Sequence, residues 1–189
     1  VAELETVLEP LGQALGTRLI EVVDRSPNTR EAHERRDAAL EFERLRPTWL
    51  AATRLAWRRG AAGLASATAP AGGGDLSLID HDEVERKIIA SRLAMALQES
   101  GGWDFNDLLR RLQQVEGADV PAEDIMRPEG LAQHLVEAWM ASGLPRRTWL
   151  LAGDLFQQQL GPVVARAWQQ ANQDLVERLR VPQKRAVWW

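Results

Sequence analysis

The sequence predicts an all-α protein, a helical hairpin followed by a helical bundle, with no sheet. Three observations predict it. Leucine, valine, isoleucine and tryptophan recur at three- and four-residue steps from end to end. The interruptions of that pattern fall at Pro, Gly and Asn, the residues that start and stop helices. No run alternates apolar and polar residues as a half-buried strand does.

The elements follow in order. Residues 2–24 read as one amphipathic helix, because Leu4, Val7, Leu8, Leu11, Leu15, Leu19 and Val22 share a face. Pro10 lies inside that pattern and predicts a kink or separate first turns. Arg25-Ser26-Pro27-Asn28 is a turn, and Thr29 or Asn28 caps a helix over residues 30–44. Pro47 suits the first position of a further helix, residues 47–59. Residues 60–74 read GAAGLASATAPAGGG, small side chains with little to bury. They predict a flexible linker over residues 60–76, dividing an N-terminal hairpin (residues 1–59) from a C-terminal bundle (residues 77–189).

Ser77 or Asp80 then caps a helix over residues 81–99, where Asp80, Asp82, Glu83 and Glu85 crowd the positive end of the helix dipole. Val84, Ile88, Ile89, Leu93, Ala96 and Leu97 form its expected buried stripe, and Gly101-Gly102 stop it. Asp104 begins a shorter helix to residue 116, and a polar loop follows over residues 117–127. Pro128 opens a helix with Leu131, Leu135, Val136, Trp139 and Met140 inward, and Gly143 ends it. Pro145 starts another helix to residue 160, and Gly161-Pro162 predict a break or kink before a last helix over residues 163–180. No repeat of fixed period is present.

Composition narrows the function classes. A chain of 189 residues supports one substantial core or two small subdomains. With 45% hydrophobic and 26% charged residues it is too apolar for a disordered segment. No stretch approaches the roughly 20 apolar residues that span a bilayer. Residues 1–9 hold three glutamates and no basic cluster, unlike a secretory signal. A start at Val1 suggests a processed chain or a piece of a larger protein. The absence of cysteine excludes disulfides, thiolate metal sites and cysteine nucleophiles, and fits a cytoplasmic location. A net charge of −4 argues against nucleic acid as the main partner.

Candidate chemistry is sparse. Asp80-His81-Asp82-Glu83 has the residue types of a cation site, but neighbours on a helix point in different directions and do not converge. Their expected role is to compensate the helix dipole. His33 sits in a charged run, and His134 sits at the edge of an apolar face, the usual setting of a hydrogen-bonded structural histidine. Gly72-Gly73-Gly74 lacks the Gly-Lys-Ser/Thr ending of a phosphate loop. No catalytic residue, cofactor site or metal site is therefore expected, and the chain does not read as an enzyme.

Residues 44–59 carry Arg44, Arg46, Arg54, Arg58 and Arg59, no acids, and Trp49 and Trp57. Arginines among aromatics can hold phosphates and stack bases. The helical phase instead puts the tryptophans on one face, as core, and Arg54 and Arg58 on another. Arg54-x-x-x-Arg58 with Asp75-x-Ser77 approaches the cyclic-di-GMP elements of PilZ domains, but Asp80 stands where glycine is required and no barrel strands are readable. The alternative function is cyclic-dinucleotide or nucleic-acid binding through residues 44–59, with Arg54, Arg58 and Arg59 as its anion or nucleotide site. Trp188-Trp189 form an apolar pair that has to pack on something.

The segment LSLIDHDEVE (residues 76–85) resembles the LSLV-x-x-(D/E)-E-(L/V)-E element of a large proteobacterial family, domain of unknown function sixteen thirty-one, some members of which carry the label thymidine-phosphorylase-related. MRPEGL (residues 126–131), LLAGDLFQQQL (residues 150–160), residues 172–181 and the upstream RLRPTWLA are also similar to it. The resemblance covers most of the chain. It implies a longer parent protein, in some members with a C-terminal PilZ-like region and cyclic-di-GMP signalling. That region has no match here, so no nucleotide site carries over, and the family supplies no catalytic residues. Gln157, Gln158 and Gln159 replace the family's basic and aromatic pattern in one helix.

The expected function is protein–protein interaction or self-association in a regulatory role within a bacterial signalling protein. The expected docking elements are the N-terminal helix, through Leu4, Leu8, Leu11 and Leu15, and the Trp188-Trp189 end.

Overall fold

A computed structural model describes residues 2–62, 81–116, 120–122 and 124–180. Six helices make up the fold: α1 (Ala2–Asp24), α2 (Thr29–Ala61), α3 (His81–Glu116), α4 (Pro128–Ala141), α5 (Arg146–Ala152) and α6 (Asp154–Arg180). No strand is present among the described residues. The fold is all-α, as the periodicity predicts.

The turn at residues 25–28 folds α1 back on α2 as an antiparallel hairpin. Asn28 caps α2, its Oδ1 accepting from the Glu31 amide at 2.9 Å. Arg35 donates to the Val22 carbonyl at 3.0 Å and closes the turn end of the pair. The leucine stripe of α1 faces inward. α6 packs against both α1 and α3. It runs in the same direction as α3, since Ser100 lies against Gly161 near its start and Arg111 donates to the Asn172 carbonyl at 3.5 Å farther along both helices.

Pro47 does not start a new helix. It lies inside the single 33-residue α2, between Phe42 and Trp49, both fully buried. An interior proline costs a helix about 3 kcal/mol, and the burial of two aromatic rings on one face outweighs it. Pro10 in α1 and Pro162 in α6 are carried in the same way, each beside fully buried leucines: Leu8 and Leu11, and Leu160. The break expected at Gly161-Pro162 instead falls at Gly153, between α5 and α6. Gly101 interrupts α3 as predicted, with non-helical backbone at φ −161° and ψ 29°, but the chain resumes helix at once. A β-carbon at Gly101 would lie 2.9 Å from Ala165 Cβ, so the kink is where α3 and α6 come closest together. Gly143, at φ 82°, ends α4 with its amide bonded to the Met140 carbonyl, and Pro145 follows.

The hairpin and the later helices share one core. Phe42 and Trp49 from α2, Trp139 from α4, Trp149 from α5 and Phe156 from α6 form a contiguous aromatic cluster. Residues 63–76 of the expected linker, and the expected cap residues Ser77 and Asp80 after it, lie outside the described residues, and Gly60 and Ala61 belong to α2. Gly60 is buried against Ile125 and His134. Among the described residues no helix is long and apolar enough to cross a membrane.

Candidate interaction surface

The arginines of residues 54–59 face α1. Arg58 Nε and Nη2 each donate at 2.6 Å to the two carboxylate oxygens of Glu5, and Arg54 reaches Glu9 at 3.4 Å. A bidentate guanidinium–carboxylate pair takes up the donors that a phosphate would need. Trp49 and Trp57, which a base would stack on, are fully buried. The alternative anion site at Arg54, Arg58 and Arg59 is therefore largely occupied by the chain's own carboxylates, and only Arg59 stands outside that network.

The Glu5–Arg58 pair has a pH consequence. The hydrogen bonds from Arg58 hold the Glu5 carboxyl below its ordinary value of 4.5, against an opposing push from burial. A carboxylate depressed in the folded state contributes stability above its unfolded pKa and loses it as pH falls through the folded value. The urea midpoints of the wild type and of Glu5→Gln are therefore expected to differ most near neutrality. The gap should narrow as pH falls below 4.5 and close below the lowered folded pKa. A gap that stays constant down to that pH would contradict the assignment.

The other residues singled out from the sequence are placed as follows. Leu4, Leu8, Leu11 and Leu15 are core residues, with Leu4 the most exposed at 7%. The apolar stripe of α1 is spent on this chain's own interior, so it is not a free docking face. Trp188 and Trp189 lie outside the described residues. So does Asp80, while Glu83 pairs with Lys87 at 2.7 Å, which lowers its pKa. His33 is exposed, and His134 lies 4.0 Å from Glu137. Among the described residues no group of three His, Asp or Glu side chains is placed to hold a metal ion.

The uncovered apolar face lies on α3. Ile89, Leu93 and Leu97 point into the core, at 6%, 6% and 0% exposure. On the opposite side Val84 is 40% exposed, Ile88 47%, Met95 63% and Trp103 92%. The expectation that Val84 and Ile88 belong to the buried stripe is corrected here. Both sit about half a turn away from the line through residues 89, 93 and 97. Val84, Ile88, Ser91, Met95 and Gln98, all before the Gly101 kink, follow alternating four- and three-residue steps, the spacing by which one helix presents a seam to another.

This seam has relief. Met95, Gln98, Glu99, Gly102, Trp103 and Asn106 line a depression of about 440 Å³, floored by the glycine. A second depression, about 340 Å³, runs beside it between Arg92 and Ala96 of α3 and Leu150 and Gln157 of the α5–α6 corner. Leu150 adds 58% of its surface to the exposed apolar area. Arg92 and Glu99 flank Met95, both exposed, and neither has a hydrogen bond or ion pair among the described residues. Sequence reasoning missed Met95 and Trp103 as surface residues. The available signal was that α3 is apolar on two sides, which one core does not require.

The family model described as Protein of unknown function (DUF1631) N-terminal domain matches residues 1–178. No curated protein and no solved structure matches the chain.

Proposed function

We propose that this chain, which belongs to the DUF1631 family, is a non-enzymatic helical interaction module whose outer α3 face docks an apolar helix of a protein partner. The observation that carries this reading is the solvent-exposed row Val84, Ile88, Met95 and Trp103, opposite a fully packed core face. Exposed aromatic and methionine side chains are the usual anchors of protein interfaces. The seam spacing selects a helix as the complementary shape. A regulatory role follows if docking on α3 changes the state of a longer parent protein, the setting that a family N-terminal domain suggests.

The test is photo-crosslinking in cells that express the protein, with benzoylphenylalanine at Ser91 or Gln98 on the seam and at Arg30 as an exposed control on α2. Adducts to protein from Ser91 and Gln98, absent from Arg30, are the expected result. Equal or absent adducts at all three positions would overturn the proposal.

A further inference from the structure

We infer that the helix docked on this face is α3 of a second copy of the chain, laid antiparallel about a two-fold axis through Met95; this rests on the docking-surface reading above. Three features of the face are self-complementary. The first is charge. Arg92 lies three residues before Met95 and Glu99 four residues after it, on the same flank of the seam and without ion partners among the described residues. A two-fold axis at Met95 places Arg92 of each copy against Glu99 of the other, so one unpaired cation and one unpaired anion become two ion pairs. A parallel pairing would carry Arg92 and Glu99 of the two copies to opposite flanks of the seam, out of each other's reach.

The second feature is shape. In the antiparallel register Ile88 of one copy faces Gly102 of the other, above the depression walled by Met95 and Trp103. A side chain there enters a hole of four or more residues whose floor carries no side chain, which is knob-into-hole packing. The third feature is the tryptophan: Trp103 is 92% exposed and walls the same depression as Met95 and Glu99, so a second copy seated there covers it. The helical stretch of the seam before the Gly101 kink, Val84 to Ser100, extends about 24 Å at helical rise.

The experiment is sedimentation equilibrium of the 189-residue chain across a concentration series, on the wild type, Met95→Glu, Arg92→Glu and the double variant Arg92→Glu/Glu99→Arg. All three positions are exposed, so the variants test association rather than folding, and circular dichroism melting checks that. The wild type is expected to form a dimer of twice 21.1 kDa. Met95→Glu sets two carboxylates face to face at the axis and should abolish the dimer. Arg92→Glu should weaken it by about tenfold or more, and the double reversal should recover most of that loss. A wild type monomeric at every concentration, a dimer indifferent to Met95→Glu, or a double variant no better than Arg92→Glu would each overturn the proposal. A monomeric chain that still yields Ser91 adducts to a different protein would sink self-association and leave the docking surface standing. A monomeric chain without adducts would sink both.

Discussion

Alanine in place of Trp139 is expected to lower the unfolding free energy by about 3–5 kcal/mol, read from urea denaturation followed by circular dichroism. Trp139 is fully buried at the centre of the aromatic cluster. Its ring lies 5.2 Å from Trp49 and from Trp149, 5.7 Å from Phe42 and 5.8 Å from Phe156. These partners come from α2, α5 and α6, so no single neighbouring helix can relax to fill the space left behind. The indole N–H also donates to the Pro145 carbonyl at 3.3 Å, tying α4 to the start of α5. Trp103→Ala is the internal contrast. That ring is 92% exposed, and its removal should change stability by less than about 0.5 kcal/mol. Comparable losses for the two variants would contradict the division between a packed core and a free α3 face.

Valine at Gly101 is expected to cost about 2–3 kcal/mol through overpacking. The backbone there is extended in φ and not left-handed, so the cost is one of contact. A β-carbon would sit 2.9 Å from Ala165 Cβ, 3.1 Å from Ala165 Cα and 3.1 Å from the Trp168 ring. All three atoms belong to α6, and two of them, Ala165 Cα and Cβ, cannot turn aside, so the helices must separate. Ala165→Gly should recover part of the loss in the double variant, measured as a coupling in a mutant cycle, because it removes the nearest atom. A Gly101→Val chain as stable as the wild type would mean that α3 and α6 are not in close contact at the kink.

Much of the helical fold was legible in the sequence because helix periodicity and its punctuation act locally. Asn28, Pro128 and Gly143 mark ends that the structure confirms, and Gly101 marks the kink in α3. The prolines were misleading for a non-local reason. Pro47 and Pro162 lie within continuous helices because side chains on both flanks, such as Phe42 and Trp49, reach the same core, and only the tertiary arrangement reveals that compensation. The surface was harder to read than the fold. The apolar stripe of α1 and the apolar stripe of outer α3 look alike as spacings. Which of the two is covered depends on α6, which closes over Leu4 to Leu15 and leaves Met95 and Trp103 in solvent. The arginine-rich stretch was ambiguous for a related reason, since Glu5 and Glu9, more than forty residues earlier, supply its partners.

The central claim, that the outer face of α3 is covered when the protein is at work, is tested most directly by hydroxyl-radical oxidation read residue by residue by mass spectrometry. Met and Trp side chains oxidise according to their exposure, so Met95 and Trp103 report on this face and the buried Trp139 serves as reference. The comparison is between the purified chain at high dilution and the protein inside intact cells. The account predicts that Met95 and Trp103 oxidise readily in dilution and are protected together in cells, with Trp139 unreactive in both. Equal oxidation of Met95 and Trp103 in the two states would contradict it.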